Sequence, residues 1–327
     1  MRIATFLPHV GVFGGVRRFL ELGNSWVAMG HDVTLYHPGG EAPAWLRYRG
    51  RVRPLVEAGE GESDLAITAD PHTFPAFVAR RSAIHLYYCV IEGDAGVREA
   101  LRVPGVRLAA NSGALRRSLA ARTGREVLDG IGGIRLEQFR PDPARRAVTP
   151  LRVLVNGRRS RPKKGTDLVL AALSGLRGVP EWEAVLFDTV DPHNRQDPRD
   201  GAPLPPGARY VLNPTQAELA GLYQSAHVFV AAERKAGWCN TALEAMASGC
   251  AVVCTASGTR DFAKDGANSL VTWRHPWFLR RALGRALADS GLRDRLSAAA
   301  LAGIAEWSWD RLATRLLAQL EAKPGTP

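Results

Sequence analysis

The sequence predicts an α/β protein of two domains, each a parallel sheet covered by helices on both faces. Three observations lead there. Short apolar runs of strand length alternate with helix-length amphipathic segments along the chain. That alternation restarts after a Pro- and Arg-rich stretch at 139–150. The 327 residues exceed one ordinary core and suit two domains of typical size. Domains are expected at 1–145 and 146–305, with a last helix at 306–327 packing back on the first. Ligands of such sheets bind at the carboxyl ends of the strands, and two sheets facing one another would form a cleft there.

The elements follow in order. Residues 2–7 are a strand ended by Pro8, and the loop 8–15 contains Gly11, Gly14 and Gly15. Val16, Phe19, Leu20, Gly23 and Val27 then share one helical face, Gly30 stops that helix, and 32–36 is the next strand. This is a βαβ start with a glycine-rich first turn, but its spacing is not that of a dinucleotide fingerprint. Further strands are expected at 64–68, 83–88 and 107–110. The second series has strands at 151–156, 184–188, 210–212 and 227–231, a helix at 164–173, and a helix at 215–224 with Thr215 as its cap. Residues 188–207 read as a long polar loop with five prolines. Gly237 to Val253 read as a loop, a short helix capped by Asn240 and ended by Gly249, and a buried strand at 250–254. Trp307 and Trp309, ahead of the last helix, read as packing anchors.

Composition narrows the partners. Hydrophobic residues at 46% and charged residues at 23% are ordinary globular values, but the net charge of +11 is not. Arginine supplies nearly all of it, with 38 Arg against 5 Lys and none of the lysines before Lys163. A guanidinium binds phosphate bidentately and stays charged, so an anionic ligand or an anionic membrane surface would use the excess. No nucleic-acid-binding motif occurs and the aromatics read as scattered, so nucleic acid is not an expected partner. Cys89, Cys239, Cys250 and Cys254 form no CxxC pair and have no histidine cluster beside them. They read as reduced thiols of a cytoplasmic protein, with no metal site. No apolar run approaches the ~18 residues of a spanning helix. The apolar run at 3–7 is too short for a signal peptide.

Two segments hold the chemistry. The run Asn156-Gly157-Arg158-Arg159-Ser160-Arg161-Pro162-Lys163-Lys164-Gly165 places cations at the carboxyl end of a parallel strand. Lysines opening the next helix would oppose its dipole, and a diphosphate bound there would offset this. The plain alternative is a solvated basic turn. In the second segment, Glu244 lies one turn into a helix behind a Gly-containing loop. Free N–H groups at a helix start favour phosphate, and a carboxylate accepts hydrogen bonds from sugar hydroxyls. A helix glutamate is ordinarily solvated, but Leu243, Ala245, Met246 and Ala247 put this one among apolar neighbours. His9 and His72 follow strand ends, whereas His85 lies inside a strand and reads as a core histidine.

Taken in order, the segments "MGHDVTLY", "NSGALRRSL", "IGGIRLEQFRP", "NGRRSRPKKGTDLVLAAL", "ELAGLYQSAHVFVAA", "GWCNTALEAMASGCAVVCT" and "SWDRLA" resemble glycosyltransferase family 4. The resemblance implies the GT-B fold, two Rossmann-like domains with parallel sheets facing across a cleft. It implies transfer of a sugar from a nucleoside-diphosphate sugar to a hydroxyl acceptor (a glycan, a lipid-linked acceptor or a small-molecule natural product). The transfer would retain anomeric configuration and use no metal and no cofactor. By position, the arginine of the family's Gly-Arg turn falls on Arg158 and the lysine of its Lys-Gly pair on Lys164, where both would neutralise the leaving diphosphate. Glu244 falls on the second Glu of the Glu-seven-residues-Glu motif, which holds the donor ribose. Gly237, Trp238, Cys239 and Asn240, with Thr241 beside them, fall on the loop facing the donor sugar and phosphate. Gly14 and Gly15 fall on the loop that closes over the site. The segment from Leu86 to Glu92 resembles a variant ending Tyr-x-x-Gln-x-x-Glu, which makes Glu92 a catalytic candidate. One position departs: the motif's first Glu is replaced by Ala236, and the nearest carboxylate is Glu233. A modified donor sugar, a contact from Glu233, a non-catalytic nucleotide-sugar-binding homologue and another GT-B activity such as an epimerase are the readings this leaves open.

Overall fold

A computed structural model describes residues 1–59, 61–91, 93–147, 149–159, 161–189 and 204–322. The chain divides into two compact units, Met1–Gly133 together with Trp307–Pro327, and Ile134–Glu306.

The first unit runs β1 (Arg2–Phe6), α1 (Gly14–Ala28), β2 (Asp32–His37), β3 (Arg51–Pro54), β4 (Glu62–Thr68), α2 (Phe74–Ala79), β5 (Arg81–Cys89), α3 (Ala95–Arg102), β6 (Val106–Ala110), α4 (Gly113–Thr123) and β7 (Val127–Asp129). Its strands pair in parallel in the order β3-β2-β1-β4-β5-β6-β7. Parallel strands bury both faces, and β1 and β2 are buried at every position after the first. Ile3, Val33, Leu35, Leu65, Ile67 and Tyr88 pack on one face with Phe19, Leu20 and Trp26 of α1. Ala4, Phe6, Tyr36 and Tyr87 pack on the other with Phe77, Val97 and Leu115.

The second unit runs α5 (Pro143–Arg146), β8 (Leu151–Asn156), α6 (Thr166–Ser174), β9 (Trp182–Asp188), β10 (Arg209–Leu212), α7 (Gln216–Ser225), β11 (Val228–Ala231), α8 (Asn240–Ala247), β12 (Ala251–Thr255), β13 (Leu270–Thr272), α9 (Pro276–Ala288) and α10 (Ser290–Gly303). Its parallel order is β10-β9-β8-β11-β12-β13. Thr215 caps α7 in a reciprocal box with Glu218. In both sheets the strand order reverses beside the first strand of the unit, between β1 and β4 and between β8 and β11, the position where open α/β sheets bind ligands. Of the expected long loop at 188–207, residues 190–203 lie outside the described residues.

The last helix, α11 (Trp309–Glu321), is capped by Ser308 and belongs to the first unit. Leu312, Leu316, Leu317 and Leu320 join the core over α1. Trp26 Nε1 donates to the Ala313 carbonyl at 3.3 Å, and Gln319 brackets Asp129 with bonds of 2.7 and 3.0 Å. The unit boundary falls after Gly133, not near 145. The intervening stretch is fastened to the second unit. The Phe139 ring lies 5.6 Å from Tyr223, Gln138 Nε2 donates to the Gln216 carbonyl at 3.0 Å, and Arg146 donates to the Gly249 carbonyl at 2.8 Å.

Candidate functional site

The cationic segment leaves β8 at the reversal point of the second sheet. Register pairs Asn156 with Phe187, so Asp188 ends β9 beside Gly157. Asn156 Oδ1 accepts from the Arg158 N–H at 3.2 Å and turns the chain. The Arg158 guanidinium then meets Asp188 at 3.7 Å, with both side chains mostly buried. Arg159 reaches Asp167 at 3.6 Å.

The expected helix at 164–173 starts later than the sequence implied. Pro162–Lys164 is a single 3-10 turn, Gly165 is left-handed, and α6 begins at Thr166. Lys163 and Lys164 therefore lie in the turn before α6 rather than in its first turn. Gly165 explains the break. Its φ is +73°, and a Cβ there would stand 2.2 Å from the Ala232 carbonyl oxygen. Only glycine lets this turn press against the end of β11. The contact brings Lys164 Nζ to 2.7 Å from Glu233 Oε1. Glu233 is buried, its carbonyl accepts from Thr255 at 2.8 Å, and the Cys239 thiol reaches its Oε1 at 3.5 Å.

Helix α8 also differs from expectation. Asn240 is its first residue, not its cap. The cap position is Cys239, which makes no side-chain capping bond. The cap residue's own side chain thus leaves the first N–H groups of α8 without a capping hydrogen bond. Asn240 Oδ1 is buried and meets no donor among the described residues. The loop before the helix is held by Gly258, whose carbonyl accepts from Cys239 N–H at 2.8 Å, and by Ser257, which accepts from Ala236 N–H at 2.9 Å. Trp238 is buried against Phe262 at 5.0 Å. Thr241 Oγ1 lies 3.5 Å from the Cys239 sulfur. Burial first, then the Glu233 carboxylate, push the Cys239 thiol well above its usual range, so it stays protonated and is no nucleophile.

Glu244 is only 6% exposed, and its Oε2 accepts from the Tyr223 hydroxyl at 2.9 Å. Burial first, then Glu244 itself, push the Tyr223 phenol well up, so it remains a donor. A carboxylate offers about four lone-pair positions, and Tyr223 takes one of them.

Arg158, Lys164, Glu233, Cys239, Asn240 and Glu244 all belong to the second unit, around the ends of β8 and β11. Gly14 and Gly15 belong to the first unit. They are not in a loop but form the exposed first turn of α1, which lacks a side-chain cap and an acidic first-turn residue. Glu92 lies outside the described residues. His9 accepts from the Gly11 N–H at 3.1 Å, His72 is exposed, and His85 bonds the Arg80 carbonyl at 3.1 Å while packing on Phe77. Sequence reasoning missed Asp188, Tyr223 and Arg274. Arg274 ties the two halves of the site, donating to the Ala232 carbonyl at 2.9 Å and the Pro162 carbonyl at 3.1 Å. The strand order alone would have found Asp188, since β9 neighbours β8; nothing in the spacing marks Arg274.

Residues 150–289 match the family of glycosyl transferases group 1. The match lies within the unit that holds the cations and Glu244. No curated protein matches the chain. Among solved structures, a sucrose-phosphate synthase from Thermosynechococcus elongatus is similar over 98% of both chains at 18% identity, with a TM-score of 0.79. Anabaena HepE in complex with UDP and glucose is similar over 98% of this chain and 99% of its own, at 15% identity and a TM-score of 0.82. A glycosyltransferase from Rickettsia africae is similar over 98% of this chain and 99% of its own, at 14% identity and a TM-score of 0.74. At these identities the likeness is one of fold: two parallel-sheet, Rossmann-like units, as in GT-B glycosyltransferases.

A separate polar cavity of about 140 Å³ lies in the first unit at the amino ends of its strands. Its cations are engaged locally, Arg2 with Glu62 and Asp64 and Arg53 with Glu57 at 2.9 Å. No residue predicted for the site lines it. Among the described residues, no group of three or more His, Cys, Asp or Glu is placed to hold a metal ion. None of their helices is long and apolar enough to cross a membrane.

Proposed function

We propose that the protein is a retaining, metal-independent glycosyltransferase that moves a sugar from a nucleoside-diphosphate sugar to a hydroxyl acceptor. The observation that supports this most is the gathering of Arg158 and Lys164 at the reversal point of the second sheet, with the start of α8 in the same unit. Cations and a helix N-terminus are what a diphosphate needs, and fixed charge aimed at a departing group stabilises the transition state more than the ground state. HepE, a protein of the same fold, has been solved with UDP and with UDP-glucose, so UDP is the first nucleotide to test here.

In this reading Arg158 and Lys164 take up charge on the leaving diphosphate, and Glu244 accepts from the donor ribose. The loop from Gly237 to Thr241 meets the donor sugar, with Asn240 Oδ1 available to one of its hydroxyls. Gly14, Gly15 and Glu92 of the first unit are further candidates, to be tested by substitution. The bond from the anomeric carbon to the β-phosphate oxygen breaks as the acceptor oxygen bonds that carbon on the same face. The acceptor proton passes to the phosphate oxygen, so no separate base is required. The excess of arginine would bring this cytoplasmic enzyme to an anionic surface. A non-catalytic nucleotide-sugar binder is the second reading, favoured by Ala236 at the motif's first carboxylate position.

Incubation with UDP-glucose, an acceptor panel and EDTA, followed by NMR of the anomeric proton, tests the proposal. An α-linked product from an α-linked donor, formed in EDTA and reduced in Arg158→Ala, is expected. Donor binding without transfer or hydrolysis would favour the second reading. An inverted product, or activity that EDTA abolishes and Mg²⁺ or Mn²⁺ restores, would refute the mechanism.

A further inference from the structure

We propose that Trp273, Trp277 and Phe278 form a docking surface that seats the second unit on an anionic lipid surface. This deepens the reading of the basic charge given above and rests on it only for the biological purpose. Its test measures lipid binding without turnover, so either can fail alone.

The three side chains are 76%, 47% and 39% exposed. Two of them pack together, and Trp273 lies four residues before Trp277 in the chain. The Trp277 and Phe278 rings pack edge-to-face at 4.8 Å, and the Arg281 guanidinium lies 5.9 Å from the Trp277 ring centroid. The other large exposed apolar residues described, Met29, Val56, Ile91 and Leu101, are spread along the first unit. Grouped exposure of this kind marks an interaction surface, whereas single apolar residues do not.

The fold does not need these rings. Helix α9 fills the core with Leu279, Leu283, Ala286 and Leu287 from its other side. Trp273 follows β13, the edge strand of the sheet, so no further strand covers it within the unit.

Charge selects the partner. Residues 270–288 contain Arg274, Arg280, Arg281 and Arg285 and no acidic residue. Indole rings at headgroup depth with guanidinium groups beside them are the chemistry of an interfacial anchor on anionic lipid. Single-stranded nucleic acid also uses aromatics and cations, but it needs open ring faces on which successive bases stack. Here Trp277 and Phe278 are packed on each other at 89° and Arg281 covers Trp277.

The surface is joined to the candidate site. Arg274 follows Trp273 directly and bonds the carbonyls of Ala232 and Pro162, which flank Glu233 and the Lys164 turn. A lipid-borne hydroxyl acceptor would therefore be held beside the end of β11.

Cosedimentation with vesicles of phosphatidylcholine, alone or mixed with phosphatidylglycerol, tests the proposal. Binding is expected only to the anionic vesicles and should fade as salt rises. The double variant Trp273→Ala/Trp277→Ala should partition on the order of tenfold more weakly, since two exposed rings no longer bury apolar area. Its melting temperature should match the parent's. Arg281→Glu should weaken binding as well and keeps the test open if the double variant misfolds. Equal binding to both vesicle types, no binding, or variants that bind like the parent would overturn the proposal. So would retention on a single-stranded oligonucleotide with no vesicle binding.

Discussion

Replacing Glu233 by glutamine should tighten nucleoside-diphosphate binding. Lys164 Nζ lies 2.7 Å from the Glu233 carboxylate, and Lys164 is 25% exposed while Glu233 is 8%. In the nucleotide-free protein the carboxylate cancels much of the field that a phosphate would feel. A phosphate beyond the ammonium would stand about 6 Å from that carboxylate. At an effective dielectric of ~20, two unit charges so spaced repel by about 3 kcal/mol. Solvent at the partly exposed lysine screens roughly half of this, leaving about 1.4 kcal/mol, or a tenfold change in Kd. The glutamine keeps the shape and an acceptor for Lys164, so the fold should lose only about 1–2 kcal/mol. Calorimetric titration with UDP in EDTA reads the affinity, and thermal unfolding confirms the fold. Unchanged or weaker UDP binding by a folded Glu233→Gln would refute the placement of Lys164 at the phosphate.

Two further outcomes follow from the second unit. His227 is held below the usual imidazole range, first by burial and then by Arg293 and Arg146. Its folded pKa is the lower one, so the unfolded chain takes up the proton first as pH falls below about 6.5, and stability is lost there. The melting temperature should fall between about pH 7 and about pH 5, more steeply than in His227→Gln; equal slopes would remove His227 from the account. Gly165→Ala forces a Cβ to 2.2 Å from the Ala232 carbonyl oxygen at a φ of +73°. It should cost roughly 2–4 kcal/mol by denaturant unfolding and weaken UDP binding together with it, whereas a silent substitution would show that this turn is not fixed by close approach.

The α/β alternation was legible because parallel strands buried on both faces read as apolar runs, as β11 and β12 do. Three of the four short edge strands, β3, β7 and β13, were not, since three or four residues show little periodicity; β10, equally short, was read from its apolar run. The cationic turn was legible in kind but not in geometry. Gly165 reads as an ordinary glycine in the sequence, and only its approach to Ala232 shows why it breaks the expected helix. Glu244 was expected to be buried with a partner; that partner is Tyr223, 21 positions away and unmarked by any motif. Cys239 displaced Asn240 from the cap because the helix starts one residue earlier than the loop signal implied. The aromatic and basic residues between Trp273 and Arg285 are interleaved, contrary to the scattered distribution read from the sequence as a whole. The pairing of Trp277 with Phe278 emerges once α9 turns both side chains outward.

In the function proposed above, the cations at the end of β8 recognise a diphosphate. Comparing UDP with uridine by calorimetry, in EDTA, isolates that contribution, because the two ligands differ only in the phosphates. UDP should bind at least about two decades more tightly, some 2.7 kcal/mol, and Lys164→Ala should remove most of the difference. UDP binding no more tightly than uridine, or a difference untouched in folded Lys164→Ala, would contradict it.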